Sequence, residues 1–379
     1  MSFGFLKQDT DYVGVILFLM VVAGRTIPSC SGFMLQHWRS MTRNVIFLSS
    51  YTQGNDDAKS MLKCKYLGGA MNKITGDVFA IPSHAAEVLK ISNGEVQYFG
   101  SENLTGKTKF FKYKWLRAVM TDDNDVVIGL PCWAEEILKI HTATNKVETF
   151  GFDDIAKDPA KRWKWHGGQM LNNGYIYGVP ANAERVVKIH PYKNTVELIG
   201  PSFIGETKYY GGILTEQGYM ICVPYRASRV LKITPATDTS PDVVEQIGPD
   251  LSSFGDGYRW HGGVYCKQNG CVYAFPSHGT AVLKINTRNN DSVETIGNLS
   301  DQKYKWGGGT VDSEGNIWGM PSDADSVLKI TTATDTIETF PIDPLIDERN
   351  KYQGTYFIYC IRIILYILTI FFSIRQPLL

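Results

Sequence analysis

The chain of 379 residues lacks an excess of charge of either sign, with 38 Lys and Arg against 38 Asp and Glu. A basic footprint for nucleic acid or an anionic membrane surface is therefore absent, and any partner must be recognised at a local site. No Walker loop, GxSxG elbow, HExxH pair or Cys-His nucleophile pattern occurs, which removes the motif-bearing nucleotide-binding, serine-hydrolase and zinc-peptidase classes. The seven cysteines include no CxxC pair and no repeated spacing, so neither a zinc site nor a disulfide framework is indicated. Cys266 and Cys271 flank a four-residue hairpin turn and face each other across two strands; a bridge is geometrically allowed, and two buried free thiols are the preferred reading. Helical periodicity is missing between Lys63 and Pro341.

What the chain does have is a recurring phrase: a basic residue, Trp or Tyr, one variable residue, then a small pair that is usually Gly-Gly. It starts at Lys65, Lys114, Lys164, Lys208, Arg259, Lys305 and Lys351, with aromatic spacings of 49, 50, 44, 51, 46 and 46. A fixed period in this range marks a repeat architecture. Seven phrases begin, but only six repeats are complete.

Each complete repeat carries a proline after the phrase (Pro82, Pro131, Pro180, Pro224, Pro276, Pro321) and then a Leu-Lys-Ile or Val-Lys-Ile triplet, with its lysine at 90, 139, 188, 232, 284 and 329. Four short strands fit this frame; in the sixth repeat the last three fall at Asn316 to Met320, Ser326 to Ile330 and Thr336 to Phe340. Four-residue turns would set Lys329 opposite Glu338, Lys139 opposite Glu148 and Lys188 opposite Glu197, with longer turns pairing Lys232 with Glu245 and Lys284 with Glu294. Lys90 meets Gln97. Such cross-strand pairs contribute roughly 0.2 to 1 kcal/mol each, a structural role. The glycines permit close approach of inner strands at a central axis, and the preceding aromatic wedges between neighbouring units. The second repeat departs, with Leu116-Arg117-Ala118.

Stretches such as SVLKITTATDTIETF (326–340) and EILKIHTATNKVETFG (136–151) resemble the YVTN and NHL class of β-propeller repeats over about 280 residues. Together with the period, this implies an all-β protein: a β-propeller of four-stranded blades, six complete repeats plus the start of a seventh, with apolar non-repeat termini. Sevenfold geometry with an incomplete seventh blade is expected, closed by an N-terminal strand such as Val45 to Leu48; a closed six-bladed ring is the alternative. The resemblance carries no catalytic residue across, since this superfamily includes protein-binding scaffolds, ligand binders, lactonases and a streptogramin lyase.

Function is expected on the face that collects the connection into the first strand and the connection between strands two and three. After each aromatic come Leu67, Leu116, His166, Tyr210, His261 and Gly307. Two residues past each proline come His84, Trp133, Asn182, Arg226, His278 and Asp323. Arg117 adds a cation to the candidate binding set. His166 and His261, two repeats apart near the channel mouth, are the candidate catalytic bases; with His84 and His278 further out, the four histidines should not converge on one ion without help from Asp323, so no metal and no cofactor are expected. The basic residue of each phrase is expected to pair with acids in the preceding loop (Asp153, Asp154, Asp158, Asp256, Asp301, Asp343) or to shield the aromatic, rather than to form an anion-binding ring.

The expected organisation is an N-terminal segment 1–62, repeats over 63–350, and a tail over 351–379. Val13 to Gly24 has the length of a signal-peptide core, but its flank carries Asp9 and Asp11 beside Lys7. Tyr356 to Ile374 is long enough to span a bilayer with one charge, Arg362. The tail reads either as a membrane anchor or as a gene-model artefact, so the expected location is membrane-anchored or secreted, or cytoplasmic if the apolar termini are artefacts. The favoured function is a non-catalytic propeller that binds a protein or small ligand on the variable face. The alternative is a lactonase-like hydrolase or lyase acting at the channel mouth.

Overall fold

The alternation of apolar and polar residues within each repeat, cut by Asn, Asp and Gly turns, dictates short antiparallel strands. A computed structural model, which describes residues 65–104, 112–151, 162–255 and 257–342, shows six four-stranded sheets, each paired in simple sequence order. The first strands are Tyr66–Met71, Trp115–Met120, Trp165–Met170, Tyr209–Leu214, Trp260–Cys266 and Trp306–Val311. Second strands end on the repeat proline itself, which pairs with the phrase aromatic in every blade, as in Trp260 with Pro276. Third strands carry the lysine triplets and fourth strands lie outermost. The one helix among the described residues, Ser101–Leu104, lodges Leu104 in the apolar layer between blades one and two.

Between the small pair and the aromatic, every first strand shifts register against its neighbour, a β-bulge. Glycine suits it for two reasons. Gly211 sits at φ +91°, and a Cβ there would lie 3.1 Å from the Gly262 Cα of the next blade. Inner strands thus approach backbone to backbone, as the small pairs imply.

Blades stack face to face through five apolar cores, one for each neighbouring pair from one–two to five–six. Trp115, Trp165, Tyr209, Trp260 and Trp306 are at most 3% exposed within them. Four of these indoles donate to a backbone carbonyl of the same blade, for example Trp260 to Ala281 at 2.8 Å.

All six lysine registers occur as the turn lengths imply. The ion pairs, however, are only partly the expected ones. Lys139, Lys284 and Lys329 do reach Glu148, Glu294 and Glu338. Lys188, Lys232 and Lys284 also reach across to Asp242, Asp291 and Asp335 in the third-to-fourth turn of the next blade, at 2.7, 2.5 and 2.5 Å. Asn145 and Asn194 take the same place opposite Lys90 and Lys139. The lysine therefore staples blade to blade, because its long stem outreaches the cross-strand partner.

The phrase's basic residues are buried: Lys114, Lys164, Lys208, Arg259 and Lys305 are at most 5% exposed and donate to carbonyls of the preceding blade or of their own approach loop. The Lys114 ammonium lies over the Trp115 ring at 5.9 Å, and Asp301 opposes the effect of burial on Lys305. Asp153, Asp154, Asp158, Asp256 and Asp343 lie outside the described residues. Converging carbonyl dipoles supply acceptors to a cation buried in this way. Cys266 and Cys271 are register partners and are buried free thiols. No helix among the described residues is long and apolar enough to cross a membrane; Val13 to Gly24, Val45 to Leu48 and Tyr356 to Ile374 lie outside them.

Candidate functional site

The bulge at the head of each first strand re-aims the residue after the aromatic. His166, Tyr210 and His261, from blades three, four and five, meet there. His166 and Tyr210 stack nearly parallel with ring centroids 3.7 Å apart, and His261 stands edge-on to both, at 5.7 Å from His166 and 5.2 Å from Tyr210. Two blades of separation is thus a short distance near the axis. Leu67, Leu116 and Gly307 occupy the same position in the other blades and supply no polar side chain.

Both imidazoles are neutral at ordinary pH. Burial, then His261 and then Arg117, push the His166 pKa down to about 3. Burial lowers His261 too, against the opposing effect of the Gly307 carbonyl. The His261 Nδ1 lies 2.9 Å from that carbonyl oxygen, which can only accept, so Nδ1 carries the proton and Nε2 keeps its lone pair. Burial raises the phenols of Tyr210 and Tyr225, which stay protonated donors.

Arg117 stands where blades one, three, four and five carry glycines at positive φ (Gly68, Gly167, Gly211, Gly262). It projects a guanidinium near His166, and its buried Nε has no hydrogen-bond partner. An uncompensated guanidinium nitrogen is costly unless an anion answers it.

From the mouth the rings continue outward. Tyr210 stacks on Tyr225 at 4.2 Å, Tyr225 on Tyr258 at 4.7 Å, and the path continues edge-on through His278 to Tyr304 at 5.2 and 4.5 Å. A second cluster covers blades one to three: His84 against Tyr113 at 4.4 Å, Tyr113 against Trp133 and Trp163 at 5.1 and 4.8 Å. The Arg162 guanidinium lies over Trp133 at 4.6 Å and that of Arg226 over Tyr258 at 5.4 Å. Asn182 separates the clusters: it accepts from the Thr207 amide at 2.6 Å and donates to the Arg162 carbonyl at 2.7 Å. Asp323 sits on blade six, where its amide donates to the Tyr304 carbonyl at 2.8 Å. A cleft of about 700 Å³ beside Arg226 is lined by Phe203, Lys208 and Tyr209.

The structure thus brings together His166, Tyr210, His261 and Arg117 at the mouth, and places His84, Trp133, Asn182, Arg226, His278 and Asp323 around the rim. Sequence reasoning missed Tyr225 and the aromatic that precedes four of the seven basic positions: Tyr113, Trp163, Tyr258 and Tyr304. The signal was present as YKW, WKW, YRW and YKW, an aromatic one place ahead of the phrase. Tyr113, Trp163 and Tyr304 hold φ of +51°, +57° and +54°. Bulky residues avoid that left-handed region at a cost of order 1 to 3 kcal/mol, and such strain gathers at functional sites. No group of three His, Cys, Asp or Glu able to hold a metal occurs among the described residues.

Six four-stranded antiparallel blades define a β-propeller. No protein-family model and no curated protein matches the chain. Among solved structures it is similar to virginiamycin B lyase from Staphylococcus aureus, at 14% identity and TM-score 0.56 over 73% of this chain and 84% of that one. A catalytically inactive variant of that lyase with quinupristin matches at 14% identity and TM-score 0.56, covering 75% and 86%. A streptogramin B lyase matches at 13% identity and TM-score 0.54, covering 74% and 83%. At such identity the likeness concerns the fold.

Proposed function

We propose that this protein is a non-catalytic propeller of YVTN/NHL-type repeats that binds a small planar anion at the channel mouth. The observation that carries the reading is the unbroken run of stacked rings from His166 through Tyr210 and Tyr225 to Tyr258. Stacked rings offer sequence-tolerant apolar surface for a flat ligand, with phenol and imidazole edges to orient it. With both histidines neutral, the positive charge at the mouth comes from Arg117, and a carboxylate or phosphate group answers it. Aromatic carboxylates and aromatic phosphates, titrated with quenching of Trp133 and Trp163 fluorescence as readout, test this. Binding that falls at least tenfold in both Tyr210→Ala and Arg117→Leu is expected. Binding unchanged in these variants, or no binding by any aromatic anion, refutes the site.

A second reading is favoured by one observation, the His261 Nε2 lone pair held ready by the Gly307 carbonyl. That group can act as a general base, and the lyases of similar fold make a streptogramin B the first substrate to offer. Turnover lost in His261→Ala, with metal analysis on the same samples, would support an enzyme and displace the binding reading. Turnover retained in both His166→Ala and His261→Ala, with no bound metal, removes it.

A further inference from the structure

The run of stacked rings carries a guanidinium at each end. Arg117, on the first strand of blade two, lies near His166 at the inner end, and its buried Nε has no hydrogen-bond partner. Arg226, two residues past the proline of blade four, lies over Tyr258 at the outer end, 5.4 Å from the ring centroid. Three stacking steps stand between these rings, His166 to Tyr210, to Tyr225 and to Tyr258, of 3.7, 4.2 and 4.7 Å. Successive planes are nearly parallel, at 8°, 5° and 20°, so the steps add in one direction. The ring under Arg226 therefore lies beyond the reach of a single carboxylate held beside His166. Arg226 is also fixed in place: its amide donates to the carbonyls of Thr207 and Lys208, both at 3.1 Å, and its carbonyl accepts from Arg259 Nη2 at 2.9 Å. Its exposed head forms no ion pair with another described residue, although Glu206 lines the same cleft.

We propose that the channel mouth takes a linear aromatic dianion, with one acid group on Arg117, the flat body along His166, Tyr210, Tyr225 and Tyr258, and the second acid group on Arg226. This rests on the channel-mouth reading and names its ligand class. Arginine suits both ends, because its planar fork takes two oxygens of one carboxylate or phosphate while its face stacks on a ring. A monoanion leaves one fork to water. A dianion of the right length fills both, and its second group meets a partner that the loop already holds, so little further ordering opposes the gain. The cleft of about 700 Å³ on the other side of Arg226 gives that second group room.

Calorimetric titration of the full chain with benzene, naphthalene and biphenyl, each as the monocarboxylate and as the linear dicarboxylate, reads the ratio of dianion to monoanion affinity. In the parent the ratio should grow with length and reach about fivefold, what one well-formed pair at an exposed arginine can supply. It should fall to near parity in Arg226→Leu. It should hold in Arg229→Leu, which removes an exposed cation of the same loop that lies over no described ring. Near parity at every length in the parent, with monoanions still bound through Arg117, overturns the dianion and leaves the channel-mouth reading standing. A ratio unchanged in Arg226→Leu, or lost equally in Arg229→Leu, overturns it as well, the latter by showing a general effect of charge. Binding of neither kind of anion is the failure of the channel-mouth reading itself, and the dianion falls with it.

Discussion

Lys305 is 1% exposed, and its ammonium donates to the carbonyls of Gln302 at 2.7 Å and Ser277 at 3.3 Å. Burial, opposed by Asp301, brings its pKa down to about 8, and burial does the same to Lys114. A lysine whose folded pKa is lowered binds its proton more weakly in the folded than in the unfolded chain. The penalty for burying the charge is therefore present below pH 8 and fades as pH rises from about 8 towards the ordinary 10.5. Thermal unfolding should show stability rising across that window in the parent, with a shallower rise in Lys305→Met. At neutral pH Lys305→Ala, which loses the stem as well as the hydrogen bonds, should cost about 2 to 4 kcal/mol. Lys305→Met keeps the stem and should cost about 1 kcal/mol. Equal losses in the two variants would mean that the stem packs nothing.

At the scale of the blade, the staple between third strands and the next blade's turn carries the argument. Asp242 accepts from Lys188 at 2.7 Å, from the Tyr177 hydroxyl at 2.6 Å and from the Ala236 amide at 2.8 Å. Burial pushes its pKa up, but these donors outweigh it and hold the carboxyl below the ordinary 3.8. A depressed carboxyl contributes stability above its unfolded pKa, and the contribution is lost as pH falls through the folded value. Asp242→Ala strands a lysine and a phenol that are largely out of water, at a cost of about 2 to 4 kcal/mol near pH 7. Denaturant titrations should show the gap between variant and parent narrowing below about pH 4. A gap independent of pH would leave the charge without a role.

Those blade-scale contacts also mark how far the sequence could be read. Strand number, the proline stop and all six lysine registers were legible, because they depend on period-two alternation and turn length within one repeat. Asp242, Asp291 and Asp335 were not, since each looked like an ordinary turn residue of its own repeat while serving the blade before it. Tyr113, Trp163, Tyr258 and Tyr304 escaped because the phrase was anchored on its basic residue, one place too late.

The whole molecule is a row of blades in which stability comes from neighbours, as in other repeat proteins. Blades two to five are covered on both flanks, whereas the described residues cover blade one on one flank only. The first strand of blade one (Tyr66–Met71) should then open at lower free energy than its counterpart in blade four (Tyr209–Leu214), where Tyr209 is 0% exposed. Native-state hydrogen exchange of the full chain reads this directly. Amides of the blade-one strand should be protected at least tenfold less, a gap of about 1.4 kcal/mol or more. Equal protection in the two strands would show that blade one has a neighbour after all, and that the ring closes through residues outside those described.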